Sequence, residues 1–91
     1  MGEIRKRITF HGRVQGVGFR YTARLAAGSL GLTGWAKNEY DGTVTMEVQG
    51  SEGMINKLLV RLNTDYFIRI EWMDSEEIPI REDEKGFQIK Y

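Results

Sequence analysis

The stretch Gly12-Arg13-Val14-Gln15-Gly16-Val17-Gly18-Phe19-Arg20 separates two segments of different periodicity. Apolar and polar residues alternate before it, which is typical of a half-buried strand, and after it the apolar residues recur at helical spacing. We therefore predict a strand-to-helix turn, rich in glycine and free of acidic residues. This change of period predicts that a strand followed by a helix is the first unit of the fold.

This turn has the properties of an anion site. Backbone N–H groups at the start of a helix lack partners and lie at the positive end of the helix dipole. Gly16 and Gly18 can take positive φ and let the backbone close around a small ligand. Arg20 adds a planar, permanently charged guanidinium. A glycine-rich turn with an exposed arginine remains the alternative, because the spacing fits neither the dinucleotide fingerprint nor the Walker loop.

Charge is unevenly distributed, although 13 basic and 13 acidic residues in 91 balance to a net charge of +0. Residues 1–38 hold seven Lys/Arg and one acid, a net charge of +6, whereas residues 39–91 hold six Lys/Arg and twelve acids, a net charge of −6. The positive half contains the glycine turn, so its field is expected to attract anions. The same charge asymmetry would also suit binding of nucleic acid, so it does not decide between a small-anion site and a nucleic-acid surface.

Length and composition bound the class of protein. A chain of 91 residues predicts a single domain over residues 1–91. The absence of cysteine excludes disulfides and thiolate nucleophiles. The sequence has neither an apolar run of about 18 residues nor a signal peptide, so we expect a cytoplasmic protein without a membrane partner. We also expect it to be a monomer.

The spacing of apolar residues predicts the remaining elements. Strands are expected at residues 3–14, 33–39, 43–49 and from Ile68 through Trp72, and a short strand is expected at residues 87–91. Helices are expected at residues 19–30 and after Ser51. The acidic segment 74–85 is expected to be an exposed connection with solvated charges. The order is β-α-β-β-α-β with an extra strand. It predicts an α+β, ferredoxin-like sandwich, an antiparallel sheet with two helices on one face.

This topology brings the glycine turn close to Asn38. The first and second strands are parallel with the third between them, so both end at the same edge of the sheet. The Asn38 amide could then accept a proton of a water molecule and orient its oxygen. From the residues alone, a cap of the hairpin turn is the preferred interpretation of Asn38. His11 is expected on the solvated face of the first strand, and a catalytic role for it is the less favoured alternative.

The run GRVQGVGFR, together with LGLTGWAKN at residues 30–38 and the Asp41-Gly42 pair, resembles the acylphosphatase family. The resemblance implies a small enzyme that hydrolyses the carboxyl–phosphate bond of acyl phosphates. It implies that Arg20 binds the substrate and that Asn38 is catalytic, without a metal or cofactor. The phosphate cradle of the family is matched by Gln15, Gly16, Val17, Gly18 and Phe19. The sequence departs mildly from the family at Ala36 and Lys37, where valine and arginine are more frequent.

Two other classes share the predicted fold. RNA-recognition domains stack bases on aromatic residues of the third strand, but here residues 43–48 read TVTMEV, with no aromatic residue and one acid. We therefore expect a small-molecule acyl phosphate as the partner and no nucleic acid. A non-catalytic anion-sensing domain would need Arg20 and the glycines but not Asn38. It ranks third, because one domain leaves nothing else in the chain to regulate.

Overall fold

In a computed structural model, the chain is described over residues 2–91, so Met1, the first residue of the predicted domain, lies outside the described part. The element order is β1 (Ile4–Arg13), α1 (Phe19–Ser29), β2 (Thr33–Asn38), β3 (Val44–Gly50), α2 (Glu52–Asn63), β4 (Arg69–Ile78) and β5 (Phe87–Lys90). The predicted β-α-β-β-α-β order with a terminal strand is confirmed. Over residues 2–91, neither helix combines the length and apolar character that a bilayer crossing requires.

The five strands form one sheet in the order β4-β1-β3-β2-β5. β3 pairs antiparallel with β1 on one side and with β2 on the other, so β1 and β2 run parallel, as predicted. β5 pairs parallel with β2, which makes the sheet mixed at this edge. The last strand is one residue shorter than predicted, because Tyr91 lies beyond the paired segment.

The core lies between one face of the sheet and the two helices. The inward residues of β3 follow the predicted alternation, and the buried residues of each helix follow a helical period. The rings of Phe10 and Phe19 pack with centroids 4.8 Å apart and join β1 directly to the first turn of α1. The buried apolar side chains of these three elements are Val44, Met46 and Val48 in β3, Phe19, Ala23, Ala26 and Ala27 in α1, and Ile55, Leu58 and Leu62 in α2.

β4 extends further than the sequence indicated. The strand runs to Ile78, which pairs with Arg5, so the prediction of a connection over residues 74–85 is wrong for its first five residues. β4 is an edge strand, where one row of backbone groups is bonded and charged side chains remain in water. Acidic residues therefore do not prevent its pairing with β1.

A β-bulge changes the direction of Trp72. His11 pairs with Trp72 and Gly12 with Ile70, so Glu71 is the extra residue, and the faces of β4 exchange at this point. A Cβ atom on Gly12 would overlap the Arg69 carbonyl oxygen, which makes glycine the fitting residue where the strands approach so closely. The alternation of Ile68, Ile70 and Trp72 predicts that all three share one face, and for Trp72 this prediction is wrong.

His11 is not the freely solvated residue that the sequence indicated. Its imidazole is half-buried, its Nε2 lies 2.9 Å from Asp74 Oδ2, and its ring centroid lies 4.2 Å from that of Trp72. The bulge explains the contact, because it puts Trp72 beside His11. Cross-strand ring contacts of this kind stabilise antiparallel pairs.

Alternation along the first strand predicts that Arg5, like His11, lies on the solvated face, but the side chain of Arg5 is 0% exposed. Its guanidinium forms ion pairs with Glu47 at 2.9 Å and Glu84 at 2.7 Å, and it donates a hydrogen bond to Gln49 Oε1 at 3.1 Å. The connection before β5 supplies Glu84 and closes over this face of the sheet. The prediction that the charges of residues 74–85 are all solvated is therefore wrong for Glu84.

The Arg5 network sets the ionisation of Glu84. Burial raises the pKa of Glu84, but the hydrogen bonds and positive charge of Arg5, with smaller contributions from Thr33 and Arg81, together hold this pKa below its usual value. The contribution of the pair to stability is therefore present at neutral pH. It is lost as the pH falls through the lowered pKa and Glu84 becomes protonated.

We expect the substitution Glu84→Gln to lower the free energy of unfolding at pH 7 by about 1–3 kcal/mol, because hydrogen bonds to a charged partner are lost. At about pH 3, below the ordinary carboxyl pKa, the difference from the unsubstituted chain should shrink. Urea unfolding at the two pH values measures this difference in free energy of unfolding. Asp83→Asn, at an exposed neighbouring residue, is the matched control. An equal loss at both values would contradict the ionic role.

Candidate active site

One cavity lies where the end of β1, the start of α1 and the ends of β2 and β5 meet. Its volume of about 300 Å³ is at the lower end of the range for small-molecule pockets, roughly 300–1,000 Å³. Among the described residues that line it, two are arginines, Arg20 and Arg24, and none is Asp, Glu, His or Cys. The cavity is therefore suited to a small anion.

The structure brings most of the predicted site residues to this cavity. Gly16, Gly18, Phe19, Arg20 and Asn38 line it. Two members of the predicted cradle do not have this position. The side chain of Gln15 is bonded to the hairpin between β2 and β3, and Val17 lines a neighbouring cavity on the other side of the turn.

Two glycines of the turn have a left-handed φ. Gly16 has φ +73° and Gly18 has φ +79°, and Val17 between them has negative φ, because no residue other than glycine among residues 2–91 has positive φ. Left-handed residues next to residues with negative φ are a feature of the concave backbone arrangements that bind anions. A Cβ on either glycine would meet nothing within 4 Å, so backbone conformation rather than space favours glycine here.

The N–H groups of the turn and the first turn of α1 are available to a ligand. Within residues 2–91, no N–H group from Gly16 to Tyr21 donates a hydrogen bond to the protein, and the first such donor is Thr22, to the Gly18 carbonyl at 2.9 Å. Gly18 offers no side-chain cap and the first turn contains no acidic residue. The positive end of the helix is thus open towards the cavity.

Arg20 is held in place by the end of β5. Its Nη1 donates to the Lys90 carbonyl oxygen at 2.9 Å, and its Cζ lies 4.9 Å from the centroid of the Tyr91 ring. Among the ion pairs that residues 2–91 form, none includes Arg20. One edge of the guanidinium is therefore fixed, and its remaining donors and charge stay available to oxygen atoms in the cavity.

Asn38 is half-buried at the end of β2, and within the described chain its side-chain amide makes no hydrogen bond. The hairpin is capped instead by Asp41, whose Oδ1 accepts hydrogen bonds from the Thr43 hydroxyl at 2.7 Å and the Thr43 N–H at 3.1 Å. These bonds lower the pKa of Asp41, the one from the hydroxyl most strongly. The hairpin-cap interpretation of Asn38 is therefore wrong, and its amide is available to the cavity.

Gln15 connects the glycine turn to the hairpin that carries Asn38. Its Nε2 donates to the carbonyl oxygens of Glu39 at 2.7 Å and Thr43 at 2.9 Å. Both protons of the amide are used, and the two acceptors flank the hairpin turn. The side chain therefore fixes the separation between the backbone of the turn and Asn38.

Five residues that line the cavity were missed by sequence reasoning: Val14, Tyr21, Arg24, Ile89 and Tyr91. Arg24 lies one helical turn after Arg20, and this spacing of i and i+4 was a signal that could have identified it. Ile89 and Tyr91 reach the cavity because β5 runs parallel beside β2. No local pattern indicates that pairing, so their position could be known only from the folded chain.

The chain is similar to acylphosphatases over most of its length. The family model described as Acylphosphatase matches residues 6–89. Acylphosphatase of Clostridium acetobutylicum is 44% identical over 81 residues, which cover 88% of this chain and 89% of that protein. Acylphosphatase of Geobacillus kaustophilus is 44% identical over 88 residues, which cover 96% and 94%. The crystal structure of acylphosphatase from Bacillus subtilis matches with a TM-score of 0.88 at 32% identity, over 97% of this chain and 99% of that one.

We expect the substitution Gln15→Ala to lower kcat for benzoyl phosphate about tenfold or more, because a displacement of about 1 Å at a reacting centre has effects of this size. Inorganic phosphate should still compete with an inhibition constant within about threefold of the original, since the backbone of the turn remains. The two measurements together separate positioning from phosphate binding.

The control for Gln15 is Asp41→Ala, which removes the hairpin cap but leaves the link to the turn. Its kcat should fall less than that of Gln15→Ala. If both variants lost the same fraction of kcat, hairpin stability in general, and not the link through Gln15, would control turnover.

Proposed function

The chain belongs to the acylphosphatase family and hydrolyses acyl phosphates to carboxylate and inorganic phosphate, and we propose that Arg20, Asn38 and the turn at residues 15–19 carry out this reaction. In this proposal the backbone of the turn and Arg20 hold the phosphoryl group. Asn38 directs a water molecule at phosphorus. One observation supports the proposal: Gly16, Gly18, Arg20 and Asn38 line one small cavity, and the N–H groups from Gly16 to Tyr21 donate to no acceptor in the described part of the chain.

The leaving group explains why this set of residues is sufficient. An acyl phosphate releases a carboxylate, a stable anion that needs no proton at neutral pH. Among residues 2–91, those that line the cavity offer no carboxylate or imidazole for acid–base work, and the reaction does not require one. Phosphoryl transfer passes through a loose transition state, so positioning and charge stabilisation account for most of the acceleration.

Hydrolysis breaks one bond at phosphorus and forms another. The bond between phosphorus and the acyl oxygen breaks, and the electron pair leaves with the carboxylate. The water oxygen forms a new bond to phosphorus while the Asn38 side-chain oxygen accepts a hydrogen bond from one of its protons. The proton released by the attacking water passes to a phosphate oxygen. Arg20 and the backbone N–H groups stabilise the three phosphoryl oxygens throughout.

We further propose that residues 1–91 act as one domain and a monomer in the cytoplasm, without a nucleic-acid or membrane partner. In support of a single domain, one family model matches residues 6–89. Sedimentation velocity during turnover tests the monomer, and activity confined to a dimer peak would contradict it.

Substitution of Asn38 and Arg20 should affect different steps. We expect Asn38→Ala to lower kcat about 100-fold or more, with unchanged inhibition by inorganic phosphate, because the water is aligned only for the chemical step. We expect Arg20→Ala to raise the inhibition constant of inorganic phosphate about tenfold or more and also to lower kcat, because a charge-assisted contact to phosphate is lost. Full turnover by Asn38→Ala would exclude the water-positioning role. Asn56→Ala, on an exposed part of α2, is the matched control.

Chelation provides a separate test of the charge stabilisation. If the positive charge at the phosphoryl group comes from Arg20 and the backbone, hydrolysis of benzoyl phosphate should continue at the same rate in excess EDTA. Loss of activity on chelation, with recovery on addition of a divalent cation, would show that the proposed set of groups is incomplete. Salt-sensitive RNA binding without hydrolysis would instead favour the nucleic-acid alternative.

A further inference from the structure

The cavity of the candidate active site contains a second arginine, Arg24, to which the proposed steps assign no role. Arg24 lies one helical turn after Arg20 on α1, so the two side chains share one stripe of the helix. Long side chains on a helix lean towards its N-terminal end. Arg24 therefore extends back over the first turn of α1, and it lines the cavity together with Arg20.

The positive charge of Arg24 is not neutralised by an acidic side chain. Within residues 2–91 this arginine takes part in no ion pair, although the chain has 13 acidic residues. The helix α1 itself contains no acid, and like charges four residues apart on a helix repel each other. An anion in the cavity would relieve the repulsion between Arg20 and Arg24.

The face of the Arg24 guanidinium packs against an aromatic ring. Its Cζ lies 5.4 Å from the centroid of the Tyr21 ring, and such cation–π contacts are attractive. The N–H donors of a guanidinium lie in its plane, at the edge and not on the face. The contact with Tyr21 therefore restrains the side chain and leaves these donors available to oxygen atoms.

The side chains that line the cavity differ in their exposure to solvent. Val14 and Phe19 are buried, and Arg20 and Asn38 are half-buried. An acyl group of any length must extend from the bound phosphoryl group towards solvent, so it passes the exposed side of the lining. The exposed side chains of the lining are Tyr21, Arg24 and Tyr91.

Negative charge appears on the acyl side of phosphorus during the reaction. In the proposed steps, Arg20 and the backbone of the turn hold the three phosphoryl oxygens, and no group is assigned to the oxygen that leaves. The bond to this oxygen is largely broken in a loose transition state, so the oxygen carries much of the developing charge. Arg24 is the second cation of the lining and lies on the side through which the acyl group extends.

We infer that Arg24 is a further catalytic residue, which stabilises the leaving carboxylate. As the bond between phosphorus and the acyl oxygen breaks, both electrons go to the carboxylate, and the N–H groups of Arg24 donate hydrogen bonds to it. The guanidinium remains protonated throughout. The acyl oxygen carries less charge before the bond breaks, so Arg24 stabilises the transition state more than the bound substrate. The inference rests on the proposed function, because it takes the position of the phosphoryl group from Arg20 and the turn.

The test measures how the rate depends on the basicity of the leaving carboxylate. Nitro-, unsubstituted and methoxybenzoyl phosphate release carboxylates of increasing basicity and similar size. Single turnovers with enzyme in excess exclude product release from the measured rate. In Arg24→Gln the rate should fall about threefold for nitrobenzoyl phosphate and about tenfold or more for methoxybenzoyl phosphate, because a more basic carboxylate depends more on an external positive charge.

Binding should change less than the chemical step. The enzyme concentration that gives half of the maximal rate should rise less than about threefold in Arg24→Gln, because the charge on the leaving oxygen develops mainly in the transition state. Arg24→Lys keeps a positive charge and should recover part of the lost rate with methoxybenzoyl phosphate. Lys57→Gln, which removes an exposed positive charge from α2, is the matched control and should keep the original dependence on basicity.

The outcomes separate this inference from the proposed function. If Arg24→Gln lowers the rate by the same factor for all three substrates, or leaves it unchanged, the role of Arg24 in stabilising the leaving carboxylate is overturned and the proposed function stands. A steeper dependence in Lys57→Gln as well would assign the effect to the overall charge of the protein and would also overturn it. If the folded, unsubstituted protein hydrolyses none of the three substrates, the proposed function itself has failed.

Discussion

The pairing of β3 with both β1 and β2 is the constraint on which the site depends. Val44 of β3 pairs with Phe10 of β1 on one side and with Asn38 of β2 on the other. Neighbouring strands are about 4.8 Å apart, so Asn38 lies two strand spacings, about 10 Å, from the strand that leads into the turn. A slip of β2 by one residue would turn Asn38 to the opposite face. The buried side chains of β3 prevent such a slip, and core packing therefore determines where the amide of Asn38 lies.

The two helices differ in the stability that their N-caps contribute. α2 begins with Ser51, whose hydroxyl accepts a hydrogen bond from the Met54 N–H at 3.3 Å, whereas α1 begins at Gly18 with no side-chain cap. A good N-cap is worth about 1 kcal/mol. α1 gives up this contribution and is retained by burial of its apolar face and by the ring contact of Phe19 with β1. The donors that a cap would have used remain open for a phosphate.

Sequence periodicity predicted the elements whose packing follows local spacing. The buried face of β3, the helical stripe of α1 and the cap at Ser51 all lie where the pattern placed them. The errors concern Arg5, which is covered by a connection about 80 positions away, and Trp72, whose face depends on a bulge. Neither a covering loop nor a β-bulge produces a periodic pattern of apolar and polar residues, so the alternation along one strand cannot predict them. Likewise, the residue types of Gln15 and Asn38 do not show which amide is bonded to the hairpin and which is open to the cavity.

Strand order also explains how a chain of zero net charge maintains a positive site. Most acidic residues of the second half lie in β4, at the far edge of the sheet, or in the connection that follows it. Two strands, β1 and β3, separate β4 from β2, which carries Asn38. Exposed acids on an edge strand discourage pairing with the edge of another molecule. The acid that enters the interior, Glu84, is neutralised by Arg5 on the face opposite the helices. Since the lining of the cavity contains two arginines and no acid, the local field there is positive despite the overall balance.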